Sequence, residues 1–534
     1  KQKALGSKHC FNNIADSPEN QISTRNLNKV IRIDEAQKTV TVEAGARYGD
    51  FAEELDAKGF ALANLASLPH ITVAGACATA THGSGVKNGN LATQVLAVEL
   101  VTPSGELVNI DRTHEDFPAV VVGLGAFGII TKVTLAVEDS FQVRQDVYLN
   151  LSLDTLESNF DKIMSSGYSV SLFTDWTNKN ISEVWVKSRM DQNPMEFGDD
   201  FFGAKAATEN IHPILGLSAE NCSEQMGVPG PWYSRLPHFK MGFTPSAGAE
   251  LQSEFFIPRD QAVAGILAIE KLNGEISPQL LITEVRTIAA DNFWMSPCYH
   301  QDSVAIHFTW KQKTEEVLNL LPKIEAALAP FSVKPHWGKL FNLDPATLHQ
   351  RYEKFPDFLV LAKKYDPIGK FKNTYLAKIQ KTQSPPSQAL FIWDGECGFC
   401  KYWIIIWKSK TTNLNYKTFQ EVSDEFPDIP LKEFKKASRL IEIDGSVFSG
   451  PDSAYRTFWY FEKTQKHWHR WYQQSSLFRQ LSDHGYNFIA KNRPLMMKLT
   501  LAFWGKNPVN RKPYWVVWLV GFLSVLAILI YFLN

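Results

Sequence analysis

Residues 67–85, Ser-Leu-Pro-His-Ile-Thr-Val-Ala-Gly-Ala-Cys-Ala-Thr-Ala-Thr-His-Gly-Ser-Gly, carry the densest chemical signal in the chain. Every residue at positions 74–84 is small except His82. Such a run offers few side chains to a core, but it lets the backbone approach a large flat ligand while successive amides form an anion-binding concavity. Hydroxyl donors follow at Thr79, Thr81 and Ser84. The alternative is a tight alanine-rich turn packed in a core, which the density of threonine and glycine disfavours.

A second stretch, Ala4-Leu5-Gly6-Ser7-Lys8-His9-Cys10-Phe11, reads as a short strand that enters a Gly-Ser turn before a histidine. Taken alone, such a histidine is typically a loop residue bonded to backbone. The adjoining Cys10 offers a second possible attachment point, through a thioether bond to a cofactor.

Substrate chemistry is indicated by Thr283-Glu284-Val285-Arg286-Thr287. On a strand, Glu284 and Arg286 project to one face, where a carboxylate can accept and a guanidinium donate hydrogen bonds to a polyol. A surface ion pair is the plain alternative. His307-Phe308-Thr309 repeats the same alternation further along the chain, which favours a shared site.

Together these segments resemble the vanillyl-alcohol-oxidase class of flavoproteins, in its sugar-alcohol and aldonolactone oxidase branch, and most closely the alditol oxidases. The resemblance implies that FAD is bonded through its 8α carbon to His9 and that segment 67–85 wraps the flavin and its diphosphate. It also matches Gly125–Ile130 to an adenine-side contact. The cofactor residues so implied are Gly6, Ser7, Lys8, His9, Cys10, Ser67, Thr72, Gly75, Ala76, Cys77, Ala78, Thr81, His82, Gly83, Ser84, Gly128 and Ile129.

The same resemblance implies the catalytic set Glu284, Arg286, His307, Thr309, Lys339 and Ser67. Lys339 belongs to His336-Trp337-Gly338-Lys339, a signature shared with sugar-lactone oxidases, and would offer positive charge to the flavin edge. Hydride leaves a carbinol carbon only as the hydroxyl proton leaves, so a base must reach that hydroxyl. Arg286, Lys339 and His307 remain the candidates.

The implied reaction is oxidation of a terminal CH–OH of an alditol such as xylitol or sorbitol, with O2 reduced to H2O2. The alternative within the class is an aldonolactone oxidase or dehydrogenase. A different hypothesis makes the flavin domain pass electrons to a thiol partner or a membrane acceptor.

A dithiol follows the proline-rich segment Gln383-Ser384-Pro385-Pro386-Ser387. The predicted strand Ala389–Trp393 leads into Asp394-Gly395-Glu396-Cys397-Gly398-Phe399-Cys400, and a strand feeding C-x-x-C at a helix start is the thioredoxin-like arrangement. Half of a zinc site is the alternative, but no second C-x-x-C exists, so we expect no metal. The segment resembles the DCC family of thiol-disulfide oxidoreductases, which implies a chemistry without naming a substrate.

The chain has 55 basic and 56 acidic residues, so no bulk field favours nucleic acid. Its six cysteines are scattered except for the last pair, as suits a reducing compartment. Residues 514–533 carry no charge and have aromatic residues at both ends, which predicts a transmembrane helix. Basic residues precede it, so we expect the catalytic domains to face the cytoplasm.

We therefore expect an α+β chain: a two-subdomain FAD-binding fold of the vanillyl-alcohol-oxidase class with a sheet-and-helix substrate cap, a small thioredoxin-like α/β domain and a C-terminal transmembrane helix. The predicted ranges are 1–140 for the FAD domain, 141–380 for the cap, 381–388 for a linker, 389–510 for the dithiol domain and 514–533 for the membrane helix. The family has a βαβ lead-in before the Gly6 turn, so we also expect an incomplete N-terminus.

Overall fold

The computed structural model describes residues 1–242, 250–380, 386–426, 429, 431–443, 445–463 and 465–520. The chain divides into a first unit, Lys1–Leu343 with Thr347–Gln380, and a second unit, Asp344–Ala346 with Lys381–Asn534.

The first unit contains a smaller and a larger sheet. Its strands are β1 (Gln2–Leu5), β2 (Asn20–Ser23), β3 (Val30–Asp34), β4 (Thr39–Glu43), β5 (Phe60–Ala61), β6 (Val95–Val101), β7 (Leu107–Asp111), β8 (Ile129–Ala136), β9 (Glu138–Asp139), β10 (Gln142–Ser152), β11 (Ser169–Thr174), β12 (Asn180–Arg189), β13 (Asp200–Phe201), β14 (Ala204–Ala206), β15 (Gly230–Pro231), β16 (Glu250–Pro258), β17 (Leu280–Ile288), β18 (Ser303–Lys311) and β19 (Lys334–Pro335). Its helices are α1 (Tyr48–Ala57), α2 (Val73–Ala78), α3 (Phe117–Val121), α4 (Leu153–Met164), α5 (Trp232–Arg235), α6 (Ala262–Glu270), α7 (Asn273–Ile276), α8 (Thr314–Leu328), α9 (Pro345–Arg351), α10 (Phe355–Tyr365) and α11 (Thr374–Ile379).

The smaller sheet has the order β3-β4-β8-β6-β7. Val40 and Val42 alternate with half-buried threonines along β4 and enter the core, as a strand with one buried face requires. Helix α1 contributes Phe51 and Leu55, spaced by one helical turn, to the same core. The hydrophobic pattern of the sequence predicts strands at 30–33 and 39–42, a helix at 47–59 and a hairpin of 96–102 with 107–110. All of these elements form, with ends shifted by one or two residues.

The larger sheet has the order β13-β14-β10-β12-β11-β17-β18-β16-β19, with β15 beside β10. Val285 on β17 and Ile306 on β18 pack with Ile266 of α6 and Ile324 of α8 in one apolar cluster. The residues that alternate with them along both strands therefore project to the opposite face of the sheet. This face carries the polar side chains described below.

The second unit is built on a four-stranded sheet of order β21-β20-β22-β23. Its strands are β20 (Leu390–Trp393), β21 (Asn415–Thr418), β22 (Arg439–Ile441) and β23 (Val447–Ser449). Its helices are α12 (Gly398–Lys408), α13 (Phe419–Val422), α14 (Leu431–Lys436), α15 (Pro451–Thr457), α16 (His467–Gln474), α17 (Ser476–Lys491) and α18 (Arg493–Trp504).

Within the described part of the chain, no helix has both the length and the apolar character needed to cross a membrane. Most of the predicted span, residues 521–533, lies outside the described residues. The same holds for residues 381–385 of the predicted linker.

Candidate active site

A cavity of about 620 Å³ opens in the first unit, between the Gly6 turn, the small-residue segment and the polar face of the larger sheet. All six predicted catalytic residues line it, namely Ser67, Glu284, Arg286, His307, Thr309 and Lys339. So do most of the predicted cofactor residues: Gly6, Ser7, Lys8, His9, Cys10, Thr72, Gly75, Ala76, Ala78, Thr81, His82 and Gly128. The sequence segments that looked separate therefore meet in one site.

Four predicted cofactor residues do not line this cavity, and each has another role. The small-residue run is not a continuous floor, because its first half forms the helical turn α2, which turns Cys77 into the core beside the Tyr48 hydroxyl. Ser84 is buried and donates its hydroxyl to the Val170 carbonyl. Gly83 packs against Asn64, and Ile129 is a buried sheet residue paired with Val101.

The turn that carries His9 is held in a strained backbone shape. Lys8 has φ +57°, a left-handed conformation that costs a non-glycine residue about 1 kcal/mol. Asn12 closes the turn from the far side, where its Nδ2 donates to the carbonyls of Trp337 (2.8 Å) and Lys339 (2.7 Å). The His9 loop and the Lys339 signature are thus tied together. Burial, aided by the positive charge of Lys339, lowers the pKa of His9 to about 4.

Strand register aligns the polar side chains in a row across the larger sheet. His307 on β18 stands directly opposite Glu254 on β16 and Glu284 on β17. Thr309 pairs with Gln252 in the same way, and Arg286 lies two residues from Glu284 on the same face. The predicted alternation of both segments is confirmed.

Glu254 is the centre of the charge cluster and is 1% exposed. Its Oε2 accepts from Lys339 Nζ at 2.7 Å, and its Oε1 accepts from Arg286 Nη2 at 2.9 Å. His82 Nε2 lies 3.2 Å from the same Oε1. Burial alone would raise the pKa of Glu254, but Lys339, His82 and Arg286 together hold it well below its usual range. One buried carboxylate therefore fixes both cations.

Glu284 is held from the other side by His238. His238 Nε2 lies 2.7 Å from Glu284 Oε1, and burial together with nearby Lys187 lowers the pKa of His238 to about 4. The imidazole is consequently neutral at pH 7 and donates to the carboxylate. Although burial opposes it, the pKa of Glu284 is held below its usual range by Arg286 and His238.

Lys339 also donates to His307 Nδ1 at 2.6 Å, and His307 Nε2 in turn lies 3.0 Å from Thr309 Oγ1. Burial and the adjacent Lys339 lower the pKa of His307 to about 4. His307 is therefore neutral, with its proton on Nε2 directed at Thr309. Burial lowers the pKa of Lys339 as well, and Glu254 opposes that shift.

Sequence reasoning missed Glu254, His238 and Lys3, which all line the cavity. Glu254 had a signal, because Glu250, Gln252 and Glu254 alternate along β16 as Glu284 and Arg286 do along β17. His238 had none, since it lies on a loop whose backbone N–H donates to the Ser67 carbonyl at 3.0 Å.

The site has the donors and the shape that a flavin dinucleotide requires. The cavity volume falls within the range of ligand pockets. Side chains are excluded at two glycines of the cavity wall, since a Cβ on Gly128 would stand 2.5 Å from the Val101 carbonyl oxygen and one on Gly75 would stand 2.8 Å from Thr72 Oγ1. In the described residues, Arg286 Nε is buried without a hydrogen-bond acceptor, although Glu284 lies 3.5 Å away. These features fit the cofactor, and the residues that would hold it are the glycines, alanines and threonines of the cavity wall.

The second unit contains the predicted dithiol. Cys397 and Cys400 form a disulfide at the start of α12, where the Cys400 N–H also donates to Cys397 Sγ at 3.1 Å. Asp394, three residues before Cys397, pairs with Arg493 at 2.8 Å. Among the described residues no group of three or more histidine, cysteine or acidic side chains could hold a metal ion.

Comparison with known proteins agrees with this geometry. The family of FAD binding domains matches residues 3–111, D-arabinono-1,4-lactone oxidase matches residues 250–379, and DCC1-like thiol-disulfide oxidoreductase matches residues 391–499. An alditol oxidase from a Streptomyces species is 46% identical over 370 residues, which cover 69% of this chain and 88% of that protein. L-gulonolactone oxidase from Bos taurus is 27% identical, over 71% of this chain and 89% of its own.

Among solved structures, cholesterol oxidase from Brevibacterium sterolicum superimposes with a TM-score of 0.58 at 15% identity, over 71% of this chain and 90% of its own. At that identity the likeness shows the fold alone. The site geometry and the sequence relatives together place the chain in the alditol oxidase family of FAD-dependent oxidoreductases, with a DCC1-like thiol-disulfide oxidoreductase domain after the oxidase part.

Proposed function

We propose that the chain oxidises the terminal CH–OH of an alditol of the xylitol or sorbitol class to the aldehyde, with O2 reduced to H2O2. The observation that carries this proposal is the convergence of Arg286, Lys339, Glu254 and Glu284 at the wall of one cavity. The Streptomyces relative, named an alditol oxidase, supports the substrate class. When bound, FAD accepts the hydride and passes the electrons on to O2.

The cofactor attachment is part of the proposal. His9 lies on the cavity wall with a pKa of about 4, so its imidazole is neutral at pH 7 and a ring nitrogen has a free lone pair. A neutral imidazole is the form that could attack the flavin 8α carbon; one C–H hydrogen and the imidazole N–H would leave as protons, and the two electrons would stay on the flavin until O2 takes them. After acid precipitation we expect a yellow pellet and FAD on the His9 peptide. A colourless pellet with FAD in the supernatant would show that the cofactor is not bonded.

Substrate hydroxyls would be held by complementary groups. Arg286 is cationic and donates, since Glu284 and Glu254 outweigh burial and raise its pKa. Glu284 is ionised and accepts. Ser67, whose Oγ lies 3.1 Å from Arg286 Nη1, and Thr309 supply hydroxyls that both donate and accept. A chain of vicinal hydroxyls matches this alternation of donors and acceptors.

The hydroxyl proton has a path through two side chains. Lys339 Nζ takes the proton from the substrate oxygen as it gives one of its own to His307 Nδ1, 2.6 Å away. Glu254 Oε2, 3.7 Å from that Nδ1, stabilises the imidazolium that results. Arg286 is too basic to accept a proton, so this relay narrows the three candidate bases to the Lys339–His307 pair.

Anaerobic mixing with xylitol tests the roles of these groups. The flavin absorbance of the wild-type chain should bleach, and Lys339→Met should slow the bleaching by orders of magnitude. Lys334→Met is the matched control, because Lys334 is buried five residues earlier but does not line the cavity. Equal rates for the two variants would remove Lys339 from the reaction.

Two alternatives have their own support. The lactone oxidase family match and the 27% identical L-gulonolactone oxidase favour a lactone substrate, which a rate with gulono-1,4-lactone alone would establish. The Cys397–Cys400 disulfide favours the second alternative, in which the flavin domain passes its electrons to a thiol partner. Cys397→Ser would then abolish turnover with the native acceptor, whereas unaltered H2O2 production would separate the dithiol from the oxidase reaction.

Membrane attachment is also part of the proposal. Residues 514–533 are an uncharged apolar run preceded by Lys506, Arg511 and Lys512. By the positive-inside bias, the side of the run that carries these basic residues and the catalytic domains would face the cytoplasm. The full chain should stay with membranes through an alkaline wash. Its release would exclude a membrane-spanning anchor.

A further inference from the structure

Helix α17 exposes an apolar stripe on one side. Leu477, Leu481 and Phe488 are 66%, 64% and 58% exposed, and at 100° per residue they fall within about 40° of arc. The opposite side of the helix packs on the second unit, where Ser482 bonds to Tyr455 and Tyr486 bonds to Ser438. The stripe therefore points away from the body of this unit.

Helix α18 also exposes apolar side chains, Leu495 and Leu499, which are one turn apart and 49% and 38% exposed. Basic residues occur in both helices and in the segment that follows them. Segment 476–520 contains seven lysines and arginines against one acid, Asp483, which accepts from the Tyr472 hydroxyl. The basic residues are Arg479, Lys491, Arg493, Lys498, Lys506, Arg511 and Lys512.

We propose that α17 and α18 form an interfacial surface that lies on an anionic lipid bilayer, with the apolar stripe at the boundary between headgroups and acyl chains and the basic side chains at the headgroups. Apolar side chains on one helical face combined with basic residues are what helices in the bilayer interface present. This inference rests on the proposed membrane anchor and extends it, because the uncharged run 514–533 begins ten residues after the end of α18.

The charge balance decides between lipid and other occupants. Arg493 is paired with Asp394, which leaves six basic residues against Asp483. A protein partner docking on an apolar helix face does not require such an excess of basic residues, whereas anionic headgroups do attract one. A chain entering the membrane at residue 514 also holds the preceding helices near the headgroups. The interfacial surface would keep the dithiol domain close against the bilayer.

The test uses the full chain in vesicles and places a fluorescent thiol label at Leu481→Cys. The control is Lys410→Cys, an exposed position of the same unit outside both helices. The parent chain, treated with the same label, gives the background fluorescence from native cysteines. Among its free cysteines Cys10 is exposed, while Cys77, Cys222 and Cys298 are buried. Lipids carrying a nitroxide either near the headgroup or deep in the acyl chain serve as quenchers, in phosphatidylcholine vesicles with and without phosphatidylglycerol.

We expect the label at 481 to lose fluorescence in vesicles that contain phosphatidylglycerol, more with a shallow than with a deep nitroxide, while the label at 410 loses none. Leu477→Cys, on the same stripe, should behave alike and covers the case in which the first variant fails to fold. Equal quenching at 481 and 410 in a chain that still floats with vesicles would overturn the interfacial surface and leave the anchor standing. A chain that does not float would refute the anchor itself and this surface with it. Equal quenching with and without phosphatidylglycerol would overturn the role of the basic residues.

Discussion

Replacing Glu254 by glutamine should expose how far the active site depends on one buried carboxylate. The substitution keeps the shape of the side chain but removes the charge that Lys339 Nζ meets at 2.7 Å and Arg286 Nη2 at 2.9 Å. Both cations stay buried, and removing one partner of a buried ion pair costs about 3–5 kcal/mol. We expect the free energy of unfolding of the first unit to fall by that amount.

The same change should alter the chemistry. Glu254 raises the pKa of Lys339 against the effect of burial, so its loss lowers that pKa further. The pH at which Lys339 loses its proton therefore moves down in the variant. Because Glu254 no longer fixes the positions of Lys339 and Arg286, kcat/KM should also fall roughly 10²-fold.

Denaturant unfolding and pH profiles of kcat/KM measure these effects. Glu250→Gln is the matched control, because Glu250 lies on the same strand and face but is only partly buried, and its Oε1 accepts from Gln252 rather than from a cation. That variant should lose under about 1 kcal/mol. If Glu254→Gln unfolds like Glu250→Gln and keeps the wild-type pH profile, the central role of the carboxylate is refuted.

Three further predictions follow from the buried ionisable groups. Burial and Lys339 lower the pKa of His307 to about 4, so kcat/KM should fall as the pH drops through about 4, where the ring takes up a proton and can no longer accept one from Lys339. A fall of kcat/KM near pH 6.5 instead would contradict the proton relay. Burial raises the pKa of Glu183 from 4.5 to about 7, so the unfolded chain releases this proton first and stability falls as the pH rises through that window. Between those pH values the wild-type chain should lose roughly 3 kcal/mol of its free energy of unfolding, and Glu183→Gln should not show this loss. A difference between the two chains in denaturant unfolding that does not change with pH would refute the prediction. Lys187 Nζ donates to the carbonyls of Arg235, Leu236 and Pro237 at 2.8, 2.7 and 2.9 Å. Lys187→Met should therefore lower the free energy of unfolding of the first unit by at least about 2 kcal/mol and raise KM, because His238 adjoins this loop. An unchanged KM would show that the loop keeps its position without the ammonium group.

Local periodicity and motif chemistry predicted much of the site. The two-residue alternation of Glu284 with Arg286 and of His307 with Thr309 required strands, and strands β17 and β18 bring the four side chains to one face. The short strand before Gly6 and the helix after Arg47 were also predictable, because each depends on neighbouring residues.

Long-range partners were not predictable. Glu254 gains its importance only because β16 pairs with β18 and places it opposite His307, a register that no local pattern specifies. His238 reaches Glu284 from a loop 46 residues earlier in the chain. The small-residue run misled in one respect, since its small side chains suit a helical turn as well as a ligand floor. Helix α2 turns Cys77 into the core, and Ser84, beyond that helix, is buried and donates to the Val170 carbonyl.

Oxygen uptake by the flavin-loaded full chain, measured in parallel with xylitol, sorbitol and gulono-1,4-lactone, tests the proposed reaction most directly. We predict uptake with the two alditols, matched mole for mole by H2O2 and aldehyde, and its loss in Arg286→Ala. Uptake with the lactone alone, or oxidation of the alditols without oxygen consumption, would contradict the proposed function.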